Sequence, residues 1–223
     1  MKTTYQFLKK LESNNNREWF TEHKDQYEAS HHEIITLADQ LIENMNQRDH
    51  IENVSGKKSV FRIYRDVRFS KDKTPYKTHW GLFLKRATEA LRGGYYLHIE
   101  PKNTVVAGGF WSPNKDDLLH IRKQIAQDAA PLRKVLNSKK FKGFFGELQG
   151  EQLKTAPKGF DKEHPDVDLL RYKQLYITHK FDDKEVLDPN FHQTVSNAWL
   201  EMRPFFNYMS DILTTDLNGE SII

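Results

Sequence analysis

The chain of 223 residues contains no cysteine. Disulfide staples and thiolate metal or redox centres are therefore excluded, and the composition fits a reducing compartment, so the expected location is the cytoplasm. Long apolar runs are also missing. No stretch approaches the roughly 20 apolar residues that a membrane-crossing helix needs. The first ten residues, Met-Lys-Thr-Thr-Tyr-Gln-Phe-Leu-Lys-Lys, lack the apolar segment and small-residue cleavage site of a secretory leader. No membrane partner is expected. Glycine and proline are sparse, at 11 and 8, and they form neither a repeat nor a low-complexity linker; the expectation is one domain over residues 1–223. Net charge is scarce too. The 34 Lys and Arg nearly cancel the 31 Asp and Glu, leaving +3.

Aromatic residues are plentiful, at 12% against 37% hydrophobic and 29% charged, so a core can be built from Phe, Tyr and Trp and disorder is excluded. Thr4 to Leu11 predicts a short helix, and Asn16 is placed to cap a second one starting at Arg17. Trp19, Phe20, His23, Tyr27, Ile34, Leu37, Ala38, Leu41, Ile42 and Met45 recur at three- and four-residue steps. That stripe predicts a continuous amphipathic helix of about 30 residues. From Phe61 the period changes to two, with Phe61, Ile63, Arg65, Val67 and Phe69 alternating against polar residues, as a strand requires. Further strands are predicted at Trp80 to Leu84, Tyr95 to Ile99, Val105 to Ala107 and Leu175 to Phe181, with Pro101-Lys102-Asn103 turning the second into the third.

Ser112-Pro113 predicts a capped helix through Ile125, and Pro131 a restart through Leu136. Lys139 to Pro165 reads as an irregular, functional loop. Asp188-Pro189 opens a closing helix through Leu213, kinked at Pro204. This order predicts an α+β fold, its mostly antiparallel sheet packed against long N- and C-terminal helices.

The charge is concentrated between Arg62 and His79. Arg62, Arg65, Arg68, Lys71, Lys73 and Lys77 stand there against Asp66 and Asp72, a local balance of +4 in a chain whose total is +3. Arginine offers a planar fork of donors and keeps its charge near neutrality, so such a cluster suits phosphate or carboxylate. Arg65 falls on the apolar side of the alternation, where a cation needs a carboxylate or a bound anion. Asp66 and Asp72 then serve as acid/base groups, as metal ligands or as carboxylates that orient an arginine. Two readings follow. One is a small phosphorylated or carboxylated ligand held by these six cations, with or without catalysis. The other is a nucleic-acid-binding module in which Lys57, Lys58, Lys85, Arg86 and Arg92 extend the basic face and Tyr64, Phe69 and Tyr76 stack on bases.

Other chemistry is thinner. His98 and Glu100 share a strand face, but a metal site of this kind needs a third ligand, from His79, His120, His164 or His179, and the expectation is no metal and no cofactor. Glu100-Pro101-Lys102 imitates a nuclease signature, yet proline spoils the strand it would need. Gly93-Gly94 and Gly108-Gly109 lack the pattern of a nucleotide loop, and His23 reads as a core or boundary residue. There is no nucleophile elbow and no Ser-His-Asp signature, so no reaction is named, and nothing signals an oligomeric state.

Asn16-Arg17-Glu18-Trp19-Phe20, the run from Arg62 to Lys77, Gly93-Gly94-Tyr95-Tyr96, Gly108-Gly109 with Pro113, and Leu153-Lys154 to Pro157-Lys158-Gly159 together resemble the bacterial and fungal domain of unknown function 2461. The likeness spans nearly the whole chain and rests chiefly on Arg-Asp-x-Arg-Phe-Ser-Lys-Asp-Lys-x-Pro-Tyr-Lys. It implies a compact domain of about this length and assigns no substrate, cofactor or catalytic residue.

Overall fold

The computed structural model describes all 223 residues. Helix α1 (Lys2–Ser13) buries Thr4, Tyr5, Phe7, Leu8 and Leu11, the spacing that lays one helical stripe on a core. The Asn16 side chain accepts from the Trp19 N–H and caps α2 (Arg17–Glu22). The expected 30-residue helix is broken at His23, after which α3 (Lys24–Asn46) begins. The break has a local cause. His23 directs both its backbone N–H (3.0 Å) and its ring Nδ1 (2.9 Å) at the Trp19 carbonyl, and its ring stacks on the Trp19 indole at 4.3 Å. A carbonyl only accepts, so Nδ1 is the donor, and this side-chain bond competes with the helical ladder.

Helix α3 carries Ile34, Leu37, Ala38, Leu41 and Met45 into the core beneath α1 and the short α4 (Gly56–Ser59). Burying a Leu or Ile side chain as fully as Leu11, Ile34 and Leu41 are buried stabilises by about 1.5–3 kcal/mol each. Gly56 is required where α4 meets α3, because a Cβ there would stand 2.4 Å from the Ile35 carbonyl oxygen.

The sheet follows, with β1 (Trp80–Lys85), β2 (Gly94–Ile99) and β3 (Val105–Phe110), close to their expected positions. After β3 come α5 (Lys115–Gln127), capped by Asn114 rather than by Ser112, then α6 (Ala130–Leu136), α7 (Lys139–Phe145) and α8 (Val167–Leu170). Helix α7 occupies the start of the stretch expected to be irregular, with Ser138 accepting from the Phe141 N–H as its cap. Strand β4 (Leu175–Lys180) completes an antiparallel sheet of order β1-β2-β3-β4. Helices α9 (Asp183–Val186), α10 (Phe191–Glu201) and α11 (Arg203–Thr214) close the chain. The closing helix is thus divided at Met202, with Pro204 in the first turn of α11, where proline is tolerated. The architecture is α+β.

The chain divides into two compact units. One comprises Met1–Lys85, Tyr96–Val106 and Lys180–Asn197; the other comprises Arg86–Tyr95, Ala107–His179 and Ala198–Ile223. In the first, α3 packs on β1, and Trp80 Nε1 donates to Ser30 Oγ at 2.9 Å. In the second, Tyr95 lies 5.4 Å from the Trp199 ring and 5.1 Å from that of Phe206. No helix is long and apolar enough to cross a membrane.

Candidate functional site

The alternation from Phe61 to Phe69 does not form a strand. Residues 61–79 fold back on themselves as an irregular hairpin with a single antiparallel bridge, Tyr64 to Tyr76. Arg65 N–H donates to the Pro75 carbonyl (2.9 Å) and Lys77 N–H to the Ile63 carbonyl (2.8 Å), which fixes the two arms. The base of the hairpin is anchored through Tyr76. Its ring is buried and stacks on Phe20 at 3.9 Å and 11°. The Asn15 amide brackets its backbone, donating to the Tyr76 carbonyl (2.9 Å) and accepting from the Tyr76 N–H (3.1 Å). Tyr76 is therefore not available to stack on a base, as the nucleic-acid reading expected. Tyr64 is about half exposed, and Phe69, at the tip, is 96% exposed.

Short-range polar bonds set the backbone of the tip, and they explain why the ladder fails. Asp72 accepts from the Thr74 N–H (2.9 Å) and Asp66 from the Arg68 N–H (3.2 Å); carboxylates that bond the chain two residues on favour turns over strands. Arg65 is matched internally. Its Nη1 donates to Asp72 Oδ2 (2.5 Å), to the Thr74 carbonyl (3.0 Å) and to the Thr74 hydroxyl. Arg68 forks onto Asp66, with Nε to Oδ1 at 3.0 Å and Nη2 to Oδ2 at 2.7 Å. The Thr74 N–H, then the Arg65 guanidinium and the Thr74 hydroxyl, hold the Asp72 carboxyl down at about 2. The paired Arg68 side chain and its N–H likewise lower Asp66. Both aspartates are paired with arginines.

That leaves Arg62, Lys71, Lys73 and Lys77 with no carboxylate partner. Lys73 Nζ donates to the Val67 carbonyl (2.9 Å) and Lys77 Nζ to the Arg62 carbonyl (3.0 Å); Arg62, Lys71 and Lys73 are exposed and Lys77 is half-buried. The broader basic face contracts. Lys85 pairs with Glu52 at 2.6 Å, Arg92 pairs with Asp117, and Arg86 is buried and donates to the Arg92 carbonyl and to Ser210 Oγ. Of the expected extension, Lys57, Lys58 and Lys85 are exposed, and Lys85 carries Glu52 as its partner.

A second cluster forms on the sheet. In β1, Trp80, Leu82 and Leu84 are buried, so His79 shares the opposite face with Gly81 and Phe83. In β2, Tyr95, Leu97 and Ile99 are buried, which turns Tyr96, His98 and Glu100 to the other, half-exposed side. With β1 beside β2, one donor atom from each of His79, His98 and Glu100 lies within 4.8 Å of the others. His98 Nε2 meets Glu100 Oε2 at 3.1 Å, while Nδ1 of the same ring lies 3.4 Å from the Tyr96 hydroxyl. Glu100 also accepts from Asn103 Nδ2 (2.8 Å) and from the Thr78 hydroxyl (3.4 Å). Burial works to raise the Glu100 carboxyl, yet the Asn103 amide and His98 hold it below the ordinary range. Burial, then His98 and Lys77, push His79 down to about 4.

Sequence reasoning placed His98 and Glu100 on one face and left the third group open among four histidines. The strand parity of His79 was the available signal. The other three bond backbone carbonyls elsewhere: His120 to Thr215 (2.8 Å), His164 to Ala126 (3.1 Å) and His179 to Phe144 (2.9 Å). Asn15 and Thr74, which shape the basic hairpin from outside its charge pattern, gave no signal of their own. A groove of about 610 Å³ among Lys2, His32, Glu33, Leu37, Leu187 and Phe191 shares no residue with either cluster.

A family model described as "Conserved hypothetical protein (DUF2461)" matches residues 3–208. No curated protein and no solved structure matches.

Proposed function

We propose that this chain, which belongs to the DUF2461 family of conserved hypothetical proteins, binds single-stranded nucleic acid through the hairpin of residues 61–77. One observation carries the reading. Phe69 projects with 96% of its surface exposed from a tip whose shape is fixed by the Arg65–Asp72 and Arg68–Asp66 pairs. Within the fold the ring meets the Arg68 guanidinium, 6.0 Å from its centroid, and is otherwise presented rather than packed, as base stacking needs. Of the four cations without carboxylate partners, Lys71 and Lys73 lie in the tip with Phe69, and Arg62 and Lys77 at the base of the hairpin; all four suit backbone phosphates. The small-anion reading leaned on Arg65 as an unsatisfied inward cation, and Asp72 already satisfies that charge.

The test is fluorescence anisotropy of a labelled single-stranded oligonucleotide at low salt, comparing the native chain with Phe69→Ala. Loss of one stacked base costs about 1–3 kcal/mol, so the dissociation constant should rise by roughly fivefold to a hundredfold. Equal affinity in the two proteins would remove Phe69 from the interface. Stabilisation by inorganic phosphate, lost in Arg65→Ala, would return the site to the small-anion reading.

A further inference from the structure

We propose that His79, His98 and Glu100 form a binding site for one divalent transition-metal ion of the Zn²⁺, Co²⁺ or Fe²⁺ type. Three residues separated in sequence, one before β1, one within β2 and one at its end, converge with their donor atoms inside 4.8 Å of one another. Two ligands of a tetrahedral ion with bonds of about 2.0 Å stand about 3.3 Å apart. The His98 Nε2 to Glu100 Oε2 separation of 3.1 Å is already that of two neighbouring ligands, and a His79 nitrogen lies within 4.8 Å of both.

The surroundings match what metal ligands require. A ligating imidazole is oriented through its other nitrogen, and His98 Nδ1 faces the Tyr96 hydroxyl at 3.4 Å. That hydroxyl has its space because position 81 is glycine; a Cβ there would stand 2.9 Å from it. A ligating carboxylate is in turn held by donors, and Glu100 has Asn103 and Thr78. Thr104 secures the turn that carries Glu100: its hydroxyl donates to the Glu100 carbonyl (3.0 Å) and lies 3.0 Å from Tyr5 Oη of α1. Two imidazoles and one carboxylate select borderline divalent ions over Mg²⁺ and Ca²⁺, which take oxygen ligands. Three protein ligands leave a position open, and all three residues are only partly buried, so water or an anionic ligand can reach it.

Lys77 supplies a further, signed consequence. Lys77 lies two residues before His79, so its charge opposes a cation bound there, and Glu100 provides the only negative charge of the triad. Removing the lysine charge should tighten metal binding. A merely structural histidine cluster predicts no such effect. Lys77 is the one residue common to this proposal and nucleic-acid binding; the three ligands take no part in the latter, so either can fail without the other.

The experiment is a titration of the full chain, stripped with chelator, with Co²⁺. It is followed by calorimetry, by visible absorption and by paramagnetic effects on histidine NMR signals. Expected are one ion per chain, a d–d band of a low-coordinate site, and broadening of the His79 and His98 resonances ahead of those of His31 and His32. Glu100→Gln and His98→Ala should each weaken binding at least about tenfold, Lys77→Met should strengthen it, and Mg²⁺ should not compete. An isotherm unchanged by Glu100→Gln would overturn the proposal, as would first broadening at other histidines. The NMR readout uses the native chain, so it decides the matter even if a variant fails to fold.

Discussion

At the scale of single residues, the basic hairpin is shaped by two carboxylates that the sequence presents as acid/base or arginine-orienting groups and that the structure pairs with Arg68 and Arg65. Asp72 carries the sharper prediction, because its carboxyl is lowered from an ordinary 3.8 to about 2 by the Thr74 N–H, the Arg65 guanidinium and the Thr74 hydroxyl. A depressed carboxyl contributes its stabilisation fully above its ordinary value and loses it as the pH falls through the folded value. The Asp72 clamp should therefore persist through pH 4 and open only toward pH 2. A carboxyl ¹³C titration checks this, with a midpoint near 2 in the native chain; a midpoint near 3.8 would show that the clamp is not closed. Arg65 illustrates what alternation can and cannot tell. The alternation put it on the apolar side of a strand that does not form, and period-two reading could not see that Asp72, seven residues on, would pair with it across a turn.

At the scale of elements, helix and strand existence was largely legible, because periodicity reports which face is buried. Breaks were not. The stripe from Trp19 to Met45 runs unbroken in hydrophobicity, yet the imidazole of His23 and its stacking on Trp19 divide the helix. That is a polar, local effect invisible to an apolar pattern. Residues 61–69 show the converse, an alternation overridden by aspartate-centred turns. The cap that starts α2 can be tested directly. Asn16→Ala removes the acceptor for the Trp19 N–H and should destabilise by about 1 kcal/mol, measured by denaturant unfolding, whereas Asn16→Asp should be near neutral. The metal candidate also belongs at this scale, since strand parity puts His79 and His98 on one face only once β1 is known to neighbour β2.

At the scale of the whole molecule, the near-balance of charge is the governing fact. A chain at +3 offers little general attraction for polyanions, so any such binding has to come from the +4 hairpin. The structure sharpens the count: two of the six cations are matched by Asp66 and Asp72, and four, Arg62, Lys71, Lys73 and Lys77, have no carboxylate partner. The family was legible in the sequence because its motif is long and dense. The division of the remaining basic residues was not, since Lys85, Arg86 and Arg92 find their partners through tertiary folding. The most direct measurement is the salt dependence of oligonucleotide affinity between about 50 and 200 mM. Four phosphate contacts on a single strand predict a slope of log affinity against log salt of about −3. A slope near zero, or no binding at the lowest salt, would contradict the account.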